Sequence, residues 1–338
     1  MNLTTNYLGL EIKNPLVPSA SPLSKSLASA RELEDNGAAA IIMYSLFEEA
    51  ITAESESMVR FLHHQDIGFA ETTEGFLPSY QDFENGLDRY LEQIRKLKES
   101  LDIPVIASLN GVTPSGWISH ATKLAQAGAD ALELNAYYVA GDIGQSGAQV
   151  EQRYLDLLTE LRSTVQIPIN MKLSSAFSSV GHFVARLAGA GANGVALFNR
   201  FYQPDINIDS LRLQARIYPS TSAEALLAMR WIAILHGRIE GLSLGATGGV
   251  HTSEDAIKLL LAGADVVHLC NVLLHKGPAY ISLILRGIED WMEEQGFESV
   301  ADFRGRVSAL SVPNPAELER ANYINVLDSY SVSSGVMT

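Results

Sequence analysis

The feature that most constrains how this chain folds is a repeat of short apolar runs rich in Val, Ile, Leu and Ala, each followed by an amphipathic stretch. The runs fall at 15–20, 39–44, 104–109, 131–135, 168–172, 193–198, 241–246 and 265–270. The clearest amphipathic stretches fall at 115–127, 147–165, 175–189, 253–262 and 278–294. Each run reads as a strand buried on both faces. Glycines stand where helices end, as in Asn36-Gly37, Ala127-Gly128-Ala129-Asp130, Ala190-Gly191-Ala192-Asn193 and Ala262-Gly263-Ala264-Asp265. A left-handed residue there turns the chain into the next strand. Eight such units imply an α/β chain folded as a (β/α)8 TIM barrel with rim insertions.

A length of 338 residues alone suggests two domains at about 150 residues each. No linker, low-complexity run or charge block divides the chain, so the expectation is one domain over 1–310 and a C-terminal extension over 311–338. A doubly wound sheet is the alternative architecture, and its pattern carries a recognisable switch that is not seen here. The long connections 45–80, 136–146 and 199–222 each follow a strand. They are expected on the C-terminal rim, where barrel enzymes place their sites.

Composition narrows the partners. With 24 Lys+Arg against 39 Asp+Glu the formal charge is −15, which argues against nucleic acid and against anionic membrane surfaces. The single cysteine, Cys270, forms no intrachain disulfide, four-thiolate cluster or Cys-rich zinc site, and suits a reducing cytoplasm. The N-terminus lacks a basic-then-apolar leader pattern, and no stretch has eighteen uncharged apolar residues, so a soluble cytoplasmic protein is expected.

The strongest local signal is Gly245-Ala246-Thr247-Gly248-Gly249-Val250-His251-Thr252-Ser253-Glu254-Asp255, a strand end, a double glycine and a capped helix. Its backbone amides can cradle a phosphate, or the glycines serve only a tight turn. Its place after the seventh strand, with Cys270-Asn271 after the eighth, favours phosphate. Lys172 ends the fifth apolar run and needs a partner: Glu133 on the fourth strand, or an electron-rich ring such as a flavin's. Asn110, Asn135 and Asn199 stand at or just past strand ends, as a polar ring over the barrel mouth or as loop caps. Arg200 offers a fork to a substrate carboxylate, or pairs with Asp205. His268 reads as a hydrogen-bonded interior histidine. Glu48, Glu49, Arg60, His63, His64 and Asp66 lack metal-ligand spacing and read as a solvated loop or substrate lid, with no metal expected.

These residues sit in an order that resembles the dihydroorotate dehydrogenase family of FMN barrels, most like its soluble single-subunit type, over residues 1 to about 310. The matches are Asn14-Pro15 with Pro18-Ser19-Ala20-Ser21, Glu133-Leu134-Asn135, Met171-Lys172-Leu173 and Gly248-Gly249-Val250 with Asp255-Ala256. His275-Lys276-Gly277-Pro278-Ala279 and Ser299-Val300-Ala301-Asp302-Phe303-Arg304-Gly305 complete them. The resemblance implies FMN, with Ala20, Ser21, Asn110, Asn135 and Lys172 around its ring and ribityl chain and Gly248, Gly249, Cys270 and Asn271 at its phosphate. It implies pyrimidine-related CH–CH redox chemistry and a homodimer, and leaves Asn135 and Asn199 among the substrate-contacting asparagines.

The departures concern the chemistry. Where the family carries E-L-N-x-S-C-P-N, or serine for the cysteine, this chain reads Glu133-Leu134-Asn135-Ala136-Tyr137-Tyr138-Val139-Ala140. Tyr138 therefore holds the base position and Ala140 replaces a substrate-binding asparagine. Tyr44 replaces the family's lysine, and the asparagine expected near Thr72 is absent. A phenol with a pKa of about 10 is a weak base and a serviceable acid at pH 7. Tyr44, Tyr137 and Tyr138 either donate protons to an altered substrate or pack over a disused pocket of a catalytically inactive FMN-binding protein.

Overall fold

The computed structural model describes residues 1–48, 51, 86–110, 114–135, 138–200, 203–214 and 218–319. Each of the eight apolar runs contributes a strand: β1 (Leu16–Pro18), β2 (Ile41–Ile42), β3 (Val105–Asn110) and β4 (Ala131–Asn135), then β5 (Ile169–Leu173), β6 (Gly194–Leu197), β7 (Ser243–Thr247) and β8 (Val266–Leu269). All pair in parallel, in the order β1-β8-β7-β6-β5-β4-β3-β2. The two ends of that order meet where the Ala39 amide donates to the Leu16 carbonyl at 3.0 Å. The chain is a (β/α)8 barrel.

Among the described residues eight helices surround the wall: α1 (Leu27–Asp35), α2 (Gly86–Ser100), α3 (Pro114–Gln126), α4 (Gly147–Thr164), α5 (Val180–Gly189), α6 (Ala225–Leu235), α7 (Ser253–Ala262) and α8 (Tyr280–Gln295). A short helix, Asn271–Lys276, lies between β8 and α8. The helix expected over 175–189 starts only at Val180. The Ser174 hydroxyl accepts from the Ala176 amide at 3.2 Å, a local bond that competes with a helical start. At the other end of α7, Gly263 takes φ +118°, and a Cβ there would fall 2.3 Å from the His236 ring. That position admits only glycine.

The N-terminal end of the barrel is closed by a hairpin that the apolar pattern does not announce, Thr5–Tyr7 paired antiparallel with Leu10–Ile12. Leu8 in its turn has φ 57°. The hairpin packs Tyr7, Leu8 and Ile12 against Val17, Ile42, Ile106, Ala131 and Val266. Burying each such side chain contributes roughly 1.5–3 kcal/mol. With one end plugged, ligands enter from the C-terminal end of the strands.

Two of the expected rim connections carry structure of their own. In the first, Leu46–Phe47 adds a short strand beside β3. In the last, Asp205–Asn207 pairs with Arg212–Gln214 as a hairpin. Near the C-terminus the Ala309 amide donates to the Ala233 carbonyl at 2.8 Å, and a short helix spans Ala316–Glu319. No helix of the described residues is long and apolar enough to cross a membrane.

Candidate active site

A cavity of about 580 Å³ opens at the C-terminal ends of β5 to β8 and β1. It brings together eight of the residues singled out in the sequence: Ala20, Lys172, Asn199, Arg200, Gly248, Gly249, Cys270 and Asn271. Parallel strands place them there, because residues in register, such as Thr247 and His268, emerge at one level of the wall.

Lys172 meets Glu133, the first of the two partners its sequence position offered. Its ammonium donates to Glu133 Oε1 at 3.1 Å and to Ser19 Oγ at 3.2 Å, and its side chain also lines the cavity. Glu133 is 0% exposed, and its second oxygen accepts from Asn170 Nδ2 at 3.2 Å. The pair is therefore a buried one whose disruption would strand a charge.

Beneath it lies His268, 2% exposed, with Nε2 3.4 Å from the Tyr7 hydroxyl. Burial pulls its pKa down to about 4, opposed by nearby Glu133 and aided by Lys172. It is neutral at pH 7. Burial likewise pushes up the Tyr7 phenol, and the Cys270 thiol as well, with Lys172 opposing the latter shift. Cys270 is thus a thiol here and not a nucleophilic thiolate.

On the opposite wall the double glycine builds a donor-rich turn. Gly248 and Gly249 take φ +93° and +74°. A Cβ on Gly249 would lie 2.4 Å from the Ala225 amide nitrogen. The amides of Gly248, Gly249 and Val250 have no hydrogen-bond partner among the described residues, whereas those of His251 and Thr252 donate to Asp255 Oδ2 at 2.9 and 3.0 Å. Asp255 also accepts from Ser222 Oγ at 2.8 Å, fastening the 220–222 segment to the start of α7. Ser220, which no motif marked, sits between His251 Nε2 (3.0 Å) and Asn271 Nδ2 (3.3 Å) and lines the cavity. Only the folded chain brings these three together. Unpaired amides beside this cluster of side-chain hydrogen-bonding groups suit a phosphate or similar anion.

The remaining asparagines separate. Asn199 Nδ2 donates to Asn135 Oδ1 at 2.6 Å, joining β4 to the β6 rim. Asn110, 6% exposed, ends β3 opposite Phe47. Arg200 pairs with neither Asp205 nor open space: its Nε is 2.8 Å from Glu224 Oε2 and its Nη1 donates to the Tyr218 carbonyl. Asp205 instead accepts from the Tyr218 hydroxyl at 2.7 Å.

The tyrosines lie apart from Lys172. Tyr138 donates to Gln145 Oε1 at 2.6 Å, with the Arg153 guanidinium 4.1 Å from its ring centroid, and it does not line the cavity. Tyr44 lines a neighbouring cavity together with Ser21, and Ala20 belongs to both. Glu48 is buried. Glu49, Arg60, His63, His64, Asp66, Thr72 and Tyr137 lie outside the described residues.

A parallel barrel plugged below, with a cation-bearing cavity at the C-terminal ends of its strands, is the architecture of the barrel enzymes. Comparison with known sequences narrows the class: the family described as dihydroorotate dehydrogenase matches residues 2–292, and the chain belongs to that family. It is similar to the catalytic subunit of dihydroorotate dehydrogenase B (NAD(+)) of Methanothermobacter thermautotrophicus, 24% identical over 311 residues that cover 90% of this chain and 97% of that one. It is 24% identical to the PreA subunit of the NAD-dependent dihydropyrimidine dehydrogenase of Escherichia coli K12, over 92% of this chain and 78% of that one. It is also 24% identical to dihydroorotate dehydrogenase A (fumarate) of Lactobacillus delbrueckii subsp. bulgaricus, over 91% and 99%.

Proposed function

We propose that the chain is an FMN-dependent oxidoreductase acting on CH–CH bonds of a pyrimidine-related or other unsaturated carboxylate substrate. The observation that carries this reading is the single cavity in which Lys172, Gly248, Gly249, Cys270 and Asn271 meet. The donor set fits FMN: unpaired amides at one wall for a phosphate, a lysine at another for an electron-rich ring. FMN when bound supplies two-electron chemistry. Ala20, Ser21, Asn110 and Asn135 complete the binding set in this reading. Glu133 and Ser19 hold the Lys172 ammonium in place, and in this reading its charge would stabilise the reduced ring.

Tyr138 and Tyr44 take the positions of the family's base and lysine, and in this reading they donate protons at their phenol oxygens. One observation favours the rival reading of a catalytically inactive FMN-binding protein: the Tyr138 hydroxyl is engaged by Gln145, away from Lys172. Anaerobic flavin spectra decide between them. Dihydroorotate should bleach the flavin very slowly, because positioned acid–base catalysis typically contributes about 10²–10⁴-fold. Chemically reduced enzyme should be reoxidised by a carboxylate-bearing activated alkene, more slowly after Tyr138→Phe although FMN stays bound. Failure of both half-reactions establishes the binding protein, and rapid dihydroorotate oxidation contradicts the altered base.

The same reading makes the protein a cytoplasmic homodimer. Its support in the fold is the hairpin after β6, where Ile206, Ile208, Leu211 and Leu213 are 61%, 80%, 85% and 73% exposed, an aliphatic surface of the kind a partner covers. Light scattering should give twice the chain mass, and a monomer at micromolar concentration contradicts it.

A further inference from the structure

Beneath the first cavity lies a histidine to which the proposed function gives no task. His268 lines that cavity and is buried, and its Nδ1 has no hydrogen-bond partner among the described residues. Buried polar atoms left unpaired are few in folded proteins, because each forfeits its hydration for nothing in return. Whether this nitrogen carries a hydrogen or a lone pair follows from what surrounds the other one.

Burial holds the imidazole neutral at pH 7, so its ring has one N–H donor and one lone pair. Nε2 lies 3.4 Å from the Tyr7 hydroxyl, with the two rings edge to face and their centroids 5.9 Å apart. Tyr7 is buried too, and burial pushes its phenol well above the ordinary value, so it keeps its hydrogen. His268 is the only partner of that hydroxyl among the described residues. The phenol therefore donates to Nε2, and the imidazole hydrogen stands on Nδ1. Gly245 on β7 leaves room for the pair: a Cβ there would lie 3.1 Å from Nε2 and 3.4 Å from the Tyr7 oxygen. Tyr7 itself arrives on the hairpin that plugs the barrel.

Lys172 lines the same cavity and stands close enough to act on the His268 charge. An ammonium and a neutral N–H thus lie near each other, away from the amides of Gly248 and Gly249. A heterocycle whose edge carries carbonyl oxygens and ring nitrogens accepts from both. We infer that His268 Nδ1–H is a second hydrogen-bond donor, beside the Lys172 ammonium, for the electron-rich edge of the ring held in this cavity, with Tyr7 as the positioning residue that fixes its tautomer. That this ring is a flavin rests on the oxidoreductase reading.

Nitrogen-15 NMR of histidine-labelled protein, saturated with FMN and recorded before and after reduction with dithionite, tests the inference. His268→Phe identifies the resonances. The hydrogen should be on Nδ1 and the lone pair on Nε2, and the Nδ1–H signal should move downfield on reduction, as the edge it faces gains charge. Tyr7→Phe should transfer part of the hydrogen to Nε2. In flavin titrations His268→Phe should weaken FMN and riboflavin by the same factor, about tenfold, and His268→Gln, which keeps an N–H, should lose less. A hydrogen on Nε2 in the wild type, an Nδ1–H signal unmoved by reduction, or unchanged affinity in His268→Phe overturns the inference. A loss confined to FMN puts the donor at the phosphate and overturns the ring assignment. Flavin that binds while Nδ1–H stays unmoved defeats this inference alone, whereas a protein that takes up no flavin defeats the oxidoreductase reading with it.

Discussion

The two sides of the barrel mouth differ in what they present. Along β5 to β8 the cavity shows unpaired amides, glycines at positive φ and a lysine fixed by a buried carboxylate. Along β2 to β4 the corresponding positions carry aromatic rings, Tyr44 against Tyr90 and Tyr138 beneath Arg153. The first side presents groups able to hold an anion, and the second presents phenols that are engaged by Tyr90, Gln145 and Arg153. In the proposed function, that division assigns cofactor binding to strand ends and backbone and substrate chemistry to loops, which can vary independently on one barrel.

The largest test of this comparison falls where the sides meet. Lys172→Ala should destabilise the protein by about 3–5 kcal/mol, because it leaves Glu133 buried and unpaired. The double substitution Lys172→Met with Glu133→Gln should recover most of that stability in urea unfolding but not the affinity for flavin. If the double variant binds flavin as the wild type does, Lys172 belongs to the scaffold and the division between the sides blurs.

A smaller effect sharpens the picture beneath the cavity. His268 binds a proton in the unfolded chain with a pKa of about 6.5 but in the folded barrel only near about 4. Between those values the unfolded state holds more protons, so stability falls as the pH is lowered through that window and is fully present above it. The loss attributable to this residue is about 3 kcal/mol. Denaturant midpoints from pH 7 to pH 4 should decline less steeply in His268→Gln, and an unchanged slope would place the acid sensitivity elsewhere.

Much of the barrel was legible in the sequence because burial on both faces leaves strands uniformly apolar, and all eight runs became strands. The hairpin at residues 5–12 was not, since its three-residue strands alternate in polarity and its turn puts Leu8 at φ 57°. The late start of α5 shows how a serine hydroxyl bonded to a nearby amide overrides helical spacing. In the site, Gly248-Gly249 and Lys172 announced themselves by residue type. Ser220 and the Arg200–Glu224 pair did not, because 51 and 24 residues separate partners that meet only once the barrel closes. Tyr7 and His268, 261 residues apart, are the extreme case.

The central claim is that the β5 to β8 side holds FMN, and the most direct measurement is the mass of the small molecule released when the purified protein is denatured. The account predicts FMN at close to one equivalent per chain, reduced substantially by Lys172→Met. Release of FAD, or of no flavin after reconstitution with excess FMN, would contradict it.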